Sequence, residues 1–279
     1  MVDDQVEMWN HAVGDAWVRH VDQFDATLAP FGQAAVEVLA PADGERILDI
    51  GCGVGTTTLQ LSAMVGGGEV VGVDISAPML TEARRRADAR GLRNVHLFEA
   101  DAQMADLGDS TFDAVFSRFG VMFFTDPPAA FAHLAAALVP GGRLSFVCFA
   151  APGANPFILL PVMAAAAHLD LSPPSPDGPG PFSLADPDRT VTLLREAGFD
   201  DVVIVPGPDE AILHGADDLD ALAERVLEQN PATGTRLAVV EPSVRAAAVQ
   251  ATAQALAPHR TGDRIRLGAG SWILSATRR

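Results

Sequence analysis

Residues 46–55 read Arg-Ile-Leu-Asp-Ile-Gly-Cys-Gly-Val-Gly, a short apolar run that stops in three glycines spaced two apart. Such a run predicts a buried strand delivering a tight loop. Glycine, having no Cβ, lets the backbone turn sharply and lets a ligand come close. The next strand, Glu69-Val-Val-Gly-Val-Asp74, ends in an acid about twenty residues further on, the place where a nucleotide's ribose hydroxyls are held. Asp49, the glycine trio and Asp74 in one β-α-β order point to a nucleoside site.

The spacing narrows which nucleoside. A dinucleotide fingerprint is G-x-G-x-x-G with a helix N-terminus aimed at pyrophosphate, whereas Gly51, Gly53 and Gly55 follow G-x-G-x-G behind a carboxylate that repels phosphate. This arrangement resembles motif I of the class I S-adenosylmethionine (SAM)-dependent methyltransferases. The resemblance extends to Pro140-Gly141-Gly142-Arg143-Leu144 before the fifth strand, and covers about residues 40 to 150. It is closest to the small-molecule type, similar to the methyltransferases of ubiquinone and menaquinone biosynthesis.

The resemblance implies a Rossmann-like α/β fold, a seven-stranded sheet with helices on both faces and the last strand inserted antiparallel. It also implies SAM as cofactor and a set of residues to hold it. Gly51, Gly53 and Gly55, with Cys52 in the same loop and Thr56 at the head of the following helix, pass close to the methionine portion. Asp49 orients its ammonium directly or through water. Asp74 accepts from both ribose hydroxyls, and Asp101 takes the adenine amine beside a backbone donor at Ala102. Ile75 and Met79 cover the ring faces. Ser117, Arg118 and Phe119 stand after strand four, where the family brings the methyl group toward its acceptor. Trp17 rides on an N-terminal helix that closes over the cofactor.

Composition removes several rivals. Lysine and tyrosine are both absent, which excludes a pyridoxal phosphate Schiff base, a Walker-A lysine and the Tyr/Lys pair of many short-chain dehydrogenases. A net charge of −17 disfavours nucleic acid and anionic membrane surfaces as partners. The one basic run, Arg84-Arg85-Arg86, reads as a solvated helix face. Cys52 and Cys148 are too few for a thiolate zinc site or a disulfide framework, so they read as reduced packing thiols and no metal is expected. The N-terminus has no basic and apolar leader pattern and no stretch is long enough to span a bilayer, so the expected compartment is the cytoplasm.

Read along the chain, residues 1–279 are expected as a single methyltransferase domain. A helical cap occupies residues 1–40, broken near Pro30, and the SAM-binding core runs from 41 to 150. Residues 151–190, where prolines interrupt an apolar stretch from Phe157 to Leu171, read as an inserted substrate lid with a mobile loop at 172–181. Residues 191–279 are expected to complete the core. There Arg264–Thr277 reads as one long strand carrying a bulge at Gly268 and Gly270.

A SAM methyl is already activated on a sulfonium, so such a protein mainly positions the reactants, excludes water and, where needed, removes one proton. His11 and His20 are the candidate bases and Arg118 the third candidate catalytic residue. No Asn-Pro-Pro-Tyr-like motif follows strand four, where Ser117-Arg118-Phe119-Gly120 stands instead. The expected acceptor is a small, largely apolar molecule methylated on O or C. Two alternatives stay open: a SAM-binding protein of the same fold that transfers no methyl, and a nucleotide-dependent oxidoreductase.

Overall fold

The computed structural model describes the backbone of residues 2–171 and 178–279, and side chains from residue 5 onward. Seven strands form the main sheet: β1 (Arg46–Ile50), β2 (Glu69–Asp74), β3 (Val95–Glu99), β4 (Phe112–Arg118), β5 (Leu138–Phe149), β6 (Phe199–Pro206) and, last in the chain, β10 (Ser271–Arg278). Their order is β3-β2-β1-β4-β5-β10-β6, with β10 antiparallel to both neighbours and the first five strands parallel. The antiparallel last strand and the seven-stranded sheet agree with the fold expected from the sequence.

The centre and edges of the sheet are legible as patterns of burial. In β1, Ile47, Leu48 and Ile50 are all buried, as a parallel strand covered on both faces requires. At the edges, β3 exposes Phe98 and β6 exposes Val203 and Val205. Seven helices accompany this sheet: α1 (Val2–Asn10), α2 (Ala12–Arg19), α3 (Val21–Leu39), α4 (Thr56–Met64), α5 (Ala77–Ala89), α6 (Pro127–Ala137) and α8 (Pro187–Glu196), with α7 (Pro156–Ala165) lying outside it. Several start on a polar cap with proline in the first turn. Ser76 caps α5, Asp126 caps α6 and Asp186 caps α8, each accepting an N–H from the turn it opens.

The N-terminal helices break at His11 and His20, not at Pro30. Pro30 lies inside α3, which continues because Phe31, Ala35, Val36 and Leu39 are buried beyond it, and tertiary packing outweighs one lost backbone bond. Leu138 ends α6 by turning directly into β5, where it pairs with Phe112. Thr56 does not cap α4. Gly55, at φ 79°, is the cap residue, and the Thr56 hydroxyl donates to Asp25. Arg86, expected in a solvated face, turns inward onto Asp25, Thr56 and the Val54 carbonyl.

The largest departure lies toward the C-terminus. Residues 207–268 do not join the main sheet. They form α9 (Leu219–Gln229), α10 (Pro231–Leu237), α11 (Pro242–Leu256) and a small sheet of β7 (Glu210–His214), β8 (Arg260–Thr261) and β9 (Arg264–Gly268), ordered β7-β9-β8. With α7 these build a second apolar cluster around Leu169, Leu213, Leu222, Leu227, Leu256 and Ile265. The expected single strand over 264–277 is therefore two strands in two sheets, and Gly268 and Gly270 mark the crossing, not a bulge. Part of the loop expected to be mobile, residues 172–177, lies outside the described residues.

Candidate active site

Because β1, β2, β3 and β4 run parallel, the loops at their carboxyl ends meet along one edge of the sheet. The chain order reverses between β1 and β4, which opens a crevice there. Two glycines keep the walls of that crevice close. A Cβ on Gly51 would lie 2.7 Å from Gly120 Cα, and one on Gly120 would lie 2.6 Å from the Ile50 carbonyl oxygen. Gly51, Gly53 and Gly55 all take positive φ, so the loop conformation itself selects glycine. Gly120 has no sequence signature of its own beyond its place directly after Ser117-Arg118-Phe119.

A cavity of about 230 Å³ opens from this crevice. Of the residues expected at the site, Gly51, Cys52, Gly53, Asp74, Ile75, Met79, Asp101, Ala102, Trp17 and Arg118 line it. Asp74 accepts the Gly53 N–H through Oδ2 at 2.7 Å and the Ser76 N–H through Oδ1 at 2.8 Å, so one carboxylate ties the glycine loop to the loop after β2. Burial nonetheless raises its pKa, opposed by those same backbone donors. Asp101 is gripped by Gln103, whose side-chain amide and backbone N–H both donate to it. The Gln103 Oε1 in turn accepts from the Thr125 and Asp126 N–H groups, locking together the loops after β3 and β4.

Four expected residues shape the site without lining it. Asp49 is fully buried beneath the loop, its Oδ2 accepting the Thr57 and Thr58 hydroxyls at 3.0 and 2.6 Å and its Oδ1 without a partner. Burial pushes its pKa up to about 6, against the pull of those hydroxyls and of Arg118. Gly55 and Thr56 belong to the start of α4 and face Ala83, Asp25 and Arg86. Ser117 is also buried, its hydroxyl donating to the Ile50 carbonyl while accepting from the Gly120 and Val121 N–H groups. It braces β4 against β1 and has no group left for a ligand.

Neither candidate histidine reaches the cavity. His11 is exposed at the α1–α2 break, and His20 lies 3.2 Å from Glu228. Among the described residues no histidine lines the cavity at all. The chain turns at residues 11 and 20 and not at Pro30, and the two histidines occupy those turns.

Arg118 is nine-tenths buried, lines the cavity and leaves Nη1 without a partner, while its Nη2 lies 3.7 Å from Asp25. The remaining wall is aromatic. Trp9 meets Trp17 and Phe123 edge-on, Trp17 lies 4.2 Å from Phe24, and Phe119 stacks on Phe149 at 4.2 Å. Phe119 holds a left-handed φ of 63°, backbone strain located at the site. The end of α1 is fastened over the β2 loop by Asn10, whose amide donates to the Ile75 carbonyl and accepts from the Ala77 N–H, both at 2.8 Å.

Residues 47–142 match the family model described as a methyltransferase domain. Aklanonic acid methyltransferase DauC of Streptomyces sp. strain C5 is 41% identical over 118 residues, 42% of this chain and 54% of that protein. The demethylmenaquinone methyltransferase of Thermus thermophilus is 42% identical over 126 residues, 45% of this chain and 57% of that protein. The match to each therefore spans a little over half of the relative's length. The ubiquinone/menaquinone biosynthesis C-methyltransferase UbiE of Pseudomonas aeruginosa is 33% identical over 178 residues, 60% of this chain and 70% of that protein. Among solved structures, the YcgJ protein of Bacillus subtilis aligns with a TM-score of 0.60 at 18% identity, covering 89% of this chain and 97% of that one. With this fold and these matches, the chain belongs to the class I SAM-dependent methyltransferases.

Proposed function

We propose that the protein binds SAM in this cavity and transfers its methyl group to an O or C atom of a small, largely apolar acceptor. The observation that carries this reading is a pair of buried, unpartnered charged atoms of opposite sign at the glycine loop, Asp49 Oδ1 and Arg118 Nη1. Incompletely satisfied buried charge is costly: a ligand carboxylate answers the Arg118 Nη1 in the cavity, and the ligand's ammonium is stabilised across the glycine loop by the Asp49 charge beneath it. That is the chemistry of the methionine portion of SAM. Arg118 is therefore proposed as a cofactor-binding residue. A guanidinium stays protonated and makes a poor base.

In this reading Asp74 receives the ribose hydroxyls, Asp101 and the Ala102 backbone take the adenine edge, and Ile75 and Met79 pack on its faces. Gly51, Cys52 and Gly53 lie against the methionine chain, and Trp17 closes over it from α2. Asp49, Gly55, Thr56 and Ser117 hold that loop in shape. When bound, SAM supplies a methyl group already activated on a sulfonium. The chain's own contribution is to align the acceptor, exclude water with the Trp9, Trp17, Phe119 and Phe149 wall, and leave the cavity without a histidine base. The acceptor must then bring a nucleophile that is acidic enough to be ionised on its own. Phe157 and Ile158 of α7 line the same cavity and support the role of substrate lid for residues 151–190. Two buried free thiols are compatible with a reducing cytoplasm.

The alternative is a SAM-binding protein that transfers no methyl. Fold does not decide between them, since the cyclase SpnF shares this fold at 21% identity and a TM-score of 0.54. Calorimetric titration with SAM should show one site per chain, unaffected by chelator. Incubation with SAM and a mixture of small phenols, quinones and acids should release S-adenosylhomocysteine. Binding without release would favour the alternative, and tight NAD binding with no SAM binding would overturn the assignment.

A further inference from the structure

The cavity wall contributed by α7, β7 and α9 is apolar, made by Phe157, Ile158, Leu213 and Val226, with one exception. Gln229, the last residue of α9, lines the cavity and is only 2% exposed, yet neither its Nε2 nor its Oε1 has a hydrogen-bond partner. Its position is fixed by other means. Its backbone carbonyl accepts the Trp17 indole N–H at 3.1 Å, and the next residue, Asn230, caps α10 by accepting the Ala232 N–H. The end of α9 is thus fastened to Trp17, and the amide beside it carries a donor and an acceptor that are both unused. Buried amides are nearly always satisfied, and one that is not costs stability unless a ligand completes it.

Most other polar side chains of the cavity are engaged within the protein. Thr27 donates to the Gln23 and Ile212 carbonyls, Gln5 accepts from Trp9, and Gln103 holds Asp101. We propose that the Gln229 amide is a specificity-determining contact for the methyl acceptor. Its Nε2–H donates to, and its Oε1 accepts from, two vicinal oxygens on an aromatic ring system, either two hydroxyls or a hydroxyl beside a carbonyl. The aromatic wall takes the ring faces and the amide reads the substituted edge. A site built to hydrogen-bond such a group rejects the analogue lacking it far better than an apolar pocket rejects an added hydroxyl, because the amide is then left unpaired. This inference rests on the methyl-transfer reading of the cavity and names the acceptor class for it.

The test uses the intact chain saturated with S-adenosylhomocysteine, with equilibrium dialysis of two probes of the same ring size, 2,3-dihydroxynaphthalene and naphthalene. The wild type is expected to prefer the diol by at least tenfold. Gln229→Met keeps the side-chain length and removes both polar atoms, and is expected to reduce that preference about tenfold while SAM affinity stays unchanged. Gln229→Asn withdraws the amide by one methylene and should lose the preference too, which keeps the test sound if the methionine variant does not fold. An unchanged preference in a folded variant overturns the proposal, as does a parallel loss of SAM affinity, which would assign the amide to the cofactor. A wild type that binds no SAM but shows the Gln229-dependent preference in dialysis without S-adenosylhomocysteine supports the amide contact and overturns only the methyl-transfer reading.

Discussion

Asp49→Asn separates what the glycine loop needs for folding from what it needs for binding. Asp49 is fully buried, two threonine hydroxyls donate to one of its oxygens, and burial raises its pKa from 3.8 to about 6. Between those values the folded chain keeps a proton that the unfolded chain has released. This contribution to stability is therefore fully present below pH 3.8 and lost as pH rises through 6. A shift of about two units at roughly 1.36 kcal/mol each makes the loss about 3 kcal/mol. Asparagine still accepts the threonine hydroxyls through Oδ1 and cannot ionise, but its Nδ2 gains no acceptor, which costs about 1–3 kcal/mol at every pH. The sign of the net change at one pH is thus a poor readout, whereas the slope is a good one. Urea denaturation of both proteins at pH 4.5, 5.5 and 7 should show the stability difference moving in favour of asparagine by about 2 kcal/mol across the series. Over the same range the variant should bind SAM more weakly, because the ammonium loses its counter-charge. Calorimetry of the wild type at pH 6, in two buffers of different ionisation enthalpy, should also register proton release as the ligand's ammonium lowers the Asp49 pKa. Stability curves that stay parallel across the pH series would refute the buried-charge account.

Two further outcomes follow from the same geometry. Asp74→Ala removes the carboxylate that joins the Gly53 and Ser76 amides as well as the proposed ribose acceptor, and charge-assisted bonds contribute about 1.5–3 kcal/mol each; calorimetry should show at least about tenfold weaker SAM binding, and unchanged affinity would leave this acid with only its loop-joining role. Gly14→Ala places a Cβ into the Trp9 carbonyl at the α1–α2 turn, and overpacking of this kind costs about 1–3 kcal/mol; limited proteolysis should cut residues 1–20 faster in the variant, and equal rates would mean the turn relaxes freely.

Much of the geometry of the glycine loop was readable because it is local. Three glycines at positive φ, the strand that delivers them and the acid ending the next strand lie within residues 46–74, and a parallel sheet carries such loops to one edge whatever surrounds them. Asp49 and Asp74 stood out by their position at the glycine loop and the next strand end, and Asp101 through the family resemblance. Their partners did not: Thr57 and Thr58 under Asp49, Gln103 spanning from Asp101 to Thr125, and Arg118 beside Asp25 are tertiary pairings between segments with no sequence signature.

The sequence by itself determined the doubly wound core, the succession of its strands along the chain up to Phe149 and the glycine loop, because periodic burial and glycine conformation are properties of short segments. Tertiary structure alone decided three things: that α3 runs through Pro30, that residues 207–268 leave the main sheet to build a second apolar cluster, and that among the described residues no histidine lines the cavity. The physical reason is common to all three. Each depends on which apolar faces find one another across the chain, as Phe31 finds the sheet and Leu213 finds Leu227. Burial of those faces outweighs the local preferences that a sequence displays.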